Sequence, residues 1–311
     1  MKKHLFAAAV AAGLAGSIAG VDPAAADVFT IDDFTVIKNG SPILDDGFND
    51  GIAPPNTSSV PAFSCTTSPN CYSTSGTFSE TSGRAVLDTS LGGLLTSPVG
   101  SAVRMDNAIL KSNIDPSSFL GLKQGDATHN ITFSVSGRFD LGFPTADHTA
   151  YGVRLTDRLI GGPGTPPDQA GDDTLDMNVR NVGGNIRVEF RELDFQGGTT
   201  TTIAFADLPT ILGTLASSSI TPDQIVLTLA RNNAATNDIT ASFSLLQAGS
   251  DVYDQTLLAP PAFATNATIF NGENWTRAAF FGYEAVPEPV SLALFGVGLA
   301  AVGFVRRRKA A

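Results

Sequence analysis

The chain is poor in the residues that most chemistry needs. Its 311 residues include only 2 Cys, 3 His and 1 Trp. Two cysteines cannot build a disulfide-dense scaffold. Beyond the leader the histidines are His129 and His148, with no third partner spaced for a catalytic triad or a zinc site. No Gly-x-Ser-x-Gly elbow, phosphate loop or dinucleotide fingerprint occurs in residues 27–284. No fixed-period repeat is present, and no linker is long enough to force a division of the middle.

Positive charge is also scarce. Lys and Arg number 19 against 30 Asp and Glu. Six of the basic residues lie at the extreme ends, as Lys2, Lys3, Arg306, Arg307, Arg308 and Lys309. Setting these and Asp22 aside leaves 13 basic against 29 acidic residues in 27–289, a net charge of −16. A surface this acidic repels a phosphate backbone, which excludes nucleic acid as the natural partner. It suits solubility outside the cell, with divalent cations as the alternative role.

What is plentiful is apolar residues (42%), Gly (31) and Pro (18), with Ser and Thr crowding the connections. That composition can form a core and favours short strands joined by turns. Apolar and polar residues alternate over 28–37, 131–141, 151–156, 186–195, 224–229, 239–246 and 278–284. A period of two sends one set of side chains inward and the other toward water. One helix is expected at 208–215, where Pro209 falls in the first turn. Residues 45–125 read as long connections with a few strands, and 161–167 as a surface loop. The expectation is an all-β fold, an antiparallel jelly-roll-like β-sandwich over residues 27–284. It resembles the concanavalin A-like lectin and glucanase sandwiches in architecture, and architecture carries no function.

The two ends differ from the middle. Residues 1–26 have a basic start, an Ala-rich apolar stretch over 5–19, and Ala24-Ala25-Ala26. This is the order of a secretory signal peptide read by signal peptidase, with cleavage before Asp27. At the other end Val286, Pro287, Glu288 and Pro289 precede sixteen uncharged residues, 290–305. Arg306, Arg307, Arg308 and Lys309 close them off. Sixteen helical residues span about 24 Å at roughly 1.5 Å each. Snorkelling arginines extend that toward the ~30 Å of a hydrocarbon core. The cations stay in the cytoplasm and hold the middle domain outside.

The tripartite end, 285–311, resembles the PEP-CTERM sorting signal. The resemblance implies an exosortase as partner, recognition near Pro287-Glu288-Pro289, removal of the tail and delivery from the inner membrane to the cell surface or extracellular matrix. It makes the chain the substrate of an enzyme. The expectation is therefore a non-enzymatic structural or adhesive protein of an exopolysaccharide layer. The alternatives are a secreted carbohydrate-binding module and a polysaccharide hydrolase on the same sandwich.

Four sets of residues bear on those alternatives. Cys65 and Cys71 can close a small disulfide loop, with a reactive thiol as the alternative. Glu192-Leu193-Asp194-Phe195 resembles the catalytic strand of jelly-roll glucanases, in which alternating carboxylates face one groove. Here the closing acid is Gln196, and an amide cannot protonate a leaving sugar. Read without that resemblance, it is an edge strand whose polar face pairs Glu with Arg187 and Arg191. Asp45, Asp46 and Asp50 in one glycine-flanked cluster, and Asp172 and Asp173 in another, are candidate ligands of a structural Ca²⁺, with solvated turns as the alternative. No other cofactor is expected. Trp275, following Asn271-Gly272-Glu273-Asn274 in an expected loop, is the candidate carbohydrate contact. Tyr253 and Tyr283 could add to such a platform, but core packing is the better explanation for most of these aromatics.

Overall fold

The computed structural model describes residues 27–48, 70–75, 79–80, 83–89, 93–96, 102–112, 122–123, 132–158, 172–194, 199–232, 239–258, 274–275 and 277–285. The expected signal peptide, the sorting tail, Cys65, Asp50 and Gln196 lie outside them. Among the described residues no helix is long and apolar enough to cross a membrane.

The strands follow in chain order as β1 (Val28–Lys38), β2 (Ser41–Asp46), β3 (Asn70–Ser75), β4 (Ser79–Glu80), β5 (Ala85–Asp88), β6 (Gly93–Thr96) and β7 (Ala102–Ser112). Next come β8 (Leu122–Lys123), β9 (Phe133–Asp140), β10 (Ala150–Arg158), β11 (Asp172–Val182), β12 (Asn185–Asp194) and β13 (Thr199–Asp207). After helix α1 (Leu208–Ala216) come β14 (Gln224–Arg231), β15 (Thr240–Gln247), β16 (Ser250–Leu258), β17 (Asn274–Trp275) and β18 (Arg277–Ala285). They form two eight-stranded sheets and one two-stranded pair. The first sheet runs β16-β15-β14-β9-β1-β5-β4, with β2 also on β1. The second runs β13-β12-β11-β10-β18-β7-β3, with β6 also on β7. All pairings are antiparallel.

Local sequence sets much of this order. Three hairpins close with two residues that both have positive φ, namely Asn39-Gly40, Gly183-Gly184 and Ala248-Gly249. Such turns match the right-handed twist of paired strands, and glycine adopts them without a Cβ penalty. The helix has Pro in its first turn as expected. Asp207, at its N-terminal boundary, accepts a hydrogen bond from the Thr210 hydroxyl instead of capping a backbone N–H.

The core is the space between the sheets. Phe29, Ile31, Phe34, Val36, Phe139, Ile225, Leu227 and Phe243 come from the first sheet. Tyr151, Val153, Leu155, Leu175, Met177, Val188, Phe190 and Phe280 come from the second. Phe34 meets Phe280 edge to face at 5.0 Å between ring centroids, and Phe29 lies 4.6 Å from Tyr151. Tyr151 is fully buried and its hydroxyl donates to the Gly142 carbonyl at 3.0 Å. Burial raises its pKa above the usual range.

Several expected positions move. Asp45 and Asp46 end a strand, β2, and Asp172 and Asp173 begin one, β11, where loops were expected. Trp275 belongs to β17, paired with β8, and is not carried by a loop. β12 is no edge strand, since β11 and β13 flank it on both sides.

Candidate functional site

The two ends of the sandwich domain meet. Asp27, the first described residue, is buried, and its carboxylate accepts the Thr145 N–H at 2.9 Å and the Thr145 hydroxyl at 2.7 Å. The Thr89 hydroxyl lies 2.9 Å from the Asp27 carbonyl oxygen and 3.2 Å from Oε2 of Glu284. Glu284 is the penultimate residue of β18, an interior strand between β10 and β7. One end of the sandwich thus carries both the entry of the chain and its exit toward residue 286.

The second feature is the outward face of the second sheet. Side chains there should meet water, because the inward set already fills the core. Instead Arg154, Thr156, Thr174, Asp176, Asn178, Glu189 and Arg191 are all buried. Arg154 is 2% exposed and Asp176 0%, and the pair is bidentate, Nε to Oδ1 at 2.6 Å and Nη2 to Oδ2 at 2.9 Å. The Arg154 guanidinium also lies 4.5 Å from the Phe281 ring centroid. Phe281 stacks on Tyr283, with centroids 5.7 Å apart.

Around Glu189 three guanidiniums gather. Arg180 Nη1 is 3.4 Å and Arg191 Nε 3.7 Å from Oε2, and Arg187 Nη1 is 4.0 Å from Oε1. Arg191 donates through Nη1 to the Tyr283 hydroxyl at 2.9 Å. Those two residues sit on β12 and β18, so their side chains reach across β10 and β11. The intervening Gly152 and Ala150 leave that path low.

The rim of this face is held by the loop before β10. Asn181 donates through Nδ2 to the carbonyls of Pro144 and Thr145, and its Oδ1 accepts the Gly184 N–H. Asp147 accepts the Gly183 N–H at 2.8 Å, and that bond holds its carboxyl below the usual range. His148 has φ 65° and its Nδ1 is 2.9 Å from Arg180 Nη2. A guanidinium only donates, so this nitrogen is the acceptor.

The residues expected from sequence to carry a site are distributed otherwise. Asp45 is exposed and accepts from Thr35, whereas Asp46 is buried and accepts the Phe48 N–H. Adjacent strand residues face opposite ways, so these two carboxylates do not converge. Among the described residues no three His, Cys, Asp or Glu are arranged to hold a metal. Glu192 stands in register between Leu175 and Thr201, and Asp194 between Asp173 and Thr199. Tyr253 packs against Phe243 and bonds Gln255, while Tyr283 belongs to the outer face. The expected pairing of Glu with Arg187 and Arg191 is found at Glu189, but the rest of that outer cluster was missed. Its signal was present in the alternation Asp176, Asn178, Arg180 and Arg187, Glu189, Arg191, three arginines from a segment with only 13 basic residues.

Residues 285–309 match the PEP-CTERM protein-sorting motif. The chain therefore carries a PEP-CTERM sorting motif at its C-terminus, which implies an exported protein processed by an exosortase. No curated protein and no solved structure matches the chain. The concanavalin A-like comparison accordingly has no structural neighbour behind it, and what stands is two packed antiparallel sheets.

Proposed function

We propose that the chain is a non-enzymatic structural or adhesive protein of an extracellular polysaccharide layer. It is exported through its N-terminal signal, tethered by its C-terminal helix in the inner membrane, and released or attached at the surface after exosortase cuts near Pro287-Glu288-Pro289. The sorting motif over residues 285–309 carries this reading. The shared exit supports it: the motif begins at Ala285, the last residue of β18, beside buried Asp27. In this reading the sandwich is of the jelly-roll kind and presents that end to the membrane until the tail is removed. Signal peptidase acts before folding, since Asp27 is enclosed once Thr89 and Thr145 close on it.

Two measurements test the proposal. Cell fractionation should find the protein in membrane and extracellular fractions, and a full-length cytosolic pool would defeat it. The purified protein should leave a panel of polysaccharides unhydrolysed. Turnover abolished by Glu192→Gln would establish the hydrolase instead.

A further inference from the structure

Lone exposed hydrophobic residues are ordinary on a protein surface, so their place matters more than their number. Among the described residues three large ones are exposed, Val28, Phe143 and Phe205. Phe205 lies under the Arg187 guanidinium on edge strand β13. The other two share the end of the sandwich from which the chain leaves. Val28 follows buried Asp27, whose carboxylate holds Thr145, and Phe143 stands two residues before Thr145. Thr89 joins the same Asp27 to Glu284, one residue short of the end of β18. Phe143 is 50% exposed although the backbone on both sides of it is fixed. The Gly142 carbonyl accepts the Tyr151 hydroxyl, and the Pro144 carbonyl accepts from Asn181 Nδ2. The fold therefore holds this position at the surface.

The connections that cross this end carry no charge over 141–146 and 208–222. The Leu141 N–H donates to the Asp223 carbonyl, which joins the two. Helix α1 turns Leu208 and Leu215 into the core and leaves Pro209, Thr210, Gly213 and Thr214 outside. Only residues 286–289 separate the last residue of β18 from the apolar run 290–305. Four extended residues reach about 14 Å at most.

We propose that this end of the sandwich rests on the bilayer itself, with Phe143 and Val28 entering the headgroup region while the tail spans the membrane; this rests on the tethered form proposed above. Apolar side chains at that depth leave water without crossing the hydrocarbon core. Two of them are too little to hold a free domain, and the net charge of −16 over 27–289 repels anionic lipid. The tail supplies the missing hold by keeping this end at high local concentration above the surface. While docked, the sandwich has one orientation, with Pro287-Glu288-Pro289 at the lipid surface, where a membrane protease acts. Removal of the tail ends the docking, and the domain leaves without a further step.

The test uses the exported chain, residues 27–311, purified from the inner membrane of a host without exosortase. It is returned to vesicles of phosphatidylethanolamine and phosphatidylglycerol, with or without bromine on the acyl chains as a short-range quencher. The single native tryptophan, Trp275, precedes the opposite end of β18, whose nine residues span roughly 30 Å. Brominated lipid should leave its emission unchanged. Phe143→Trp should add emission that is shifted to the blue and mostly lost in brominated vesicles, and Val28→Trp should behave alike. Phe143→Asp should melt as the wild type does and relieve the quenching of Val28→Trp, which separates docking from mere nearness imposed by the tail. The processed protein released by an exosortase-bearing host should not bind the vesicles. Unquenched Phe143→Trp, equal quenching of Trp275, or quenching of Val28→Trp that survives Phe143→Asp would each overturn the proposal. So would a blue-shifted Phe143→Trp signal in the processed protein without lipid, which would assign the patch to a second copy. A chain anchored in the membrane but unquenched sinks this inference alone, whereas a chain absent from the membrane fraction sinks the reading beneath it.

Discussion

The outward faces of the two sheets are built from similar residues and live in different environments. In the first sheet, burial alternates strictly along β9, and β14 and β15 follow the same rhythm for most of their length. Most of its outward polar side chains are at least partly exposed: Arg84, half exposed, bridges buried Asp32 at 3.1 Å and partly exposed Asp140 at 2.8 Å. In the second sheet, residues 150–156 of β10 and 174–179 of β11 are buried without interruption, although their sequences alternate just as well. An alternating pattern therefore tells which side chains share a face, and does not tell whether the polar face is wet. Where the polar face is enclosed, each charge must find a partner.

The largest difference between the faces should come from removing one carboxylate. Asp176→Ala takes from buried Arg154 its bidentate carboxylate, and should cost about 3–5 kcal/mol in urea denaturation. Replacing both partners by Leu and Met should recover most of that loss, because two apolar side chains need no pairing. Gly152→Ala comes next. Its Cβ would lie 2.1 Å from the Met177 carbonyl oxygen and 2.7 Å from the Asn178 Cα, both backbone atoms that cannot step aside. A cost of about 1–3 kcal/mol is expected from such overpacking. On the first sheet, Arg84→Ala should cost less than Asp176→Ala, since Arg84 is half exposed, solvent screens its pair with Asp140, and buried Asp32 keeps its bond from Gln224. If Arg84→Ala proved as damaging as Asp176→Ala, the contrast between the faces would be wrong.

The smallest effects concern pH and have opposite signs. Burial, reinforced by the charge of Asp32 and opposed by Arg84, raises the Asp140 pKa above the usual carboxylate range. The folded state then holds that proton more tightly than the unfolded state does. Ionised Asp140 lowers stability at neutral pH, and the loss is relieved as pH falls through the raised pKa. Asp147, lowered chiefly by its bond from Gly183, works in reverse. It adds stability above the ordinary carboxylate range and forfeits it as pH falls through the folded value. Melting temperatures should therefore lie above the wild type for Asp140→Asn and below it for Asp147→Asn at pH 7, and both differences should shrink as pH falls.

Sequence reading located the strands whose patterns were cleanest, namely β1, β9, β10, β12, β14, β15 and β18, and the helix at Leu208–Ala216. It also located the sorting tail, because Pro287-Glu288-Pro289, an uncharged run and a basic cluster in that order suit little besides a sorting signal. It misplaced β11, whose opening Asp172-Asp173 looks like a turn after a Gly-Pro loop. It misjudged β12 as an edge, because Arg187, Glu189 and Arg191 look solvated until the register sets them beside Asn178, Arg180 and Asp176. The cluster on the second sheet was legible only strand by strand. Its members come from β10, β11, β12, β13 and β18, and only the strand order brings them to one face.

The central claim concerns fate, and intact-mass measurement of the protein recovered from outside the cell tests it most directly. The account predicts a chain that begins at Asp27 and has lost the apolar segment and the basic cluster beyond Pro287-Glu288-Pro289. A recovered species still bearing residues 290–311, or one retaining residues 1–26, would contradict it.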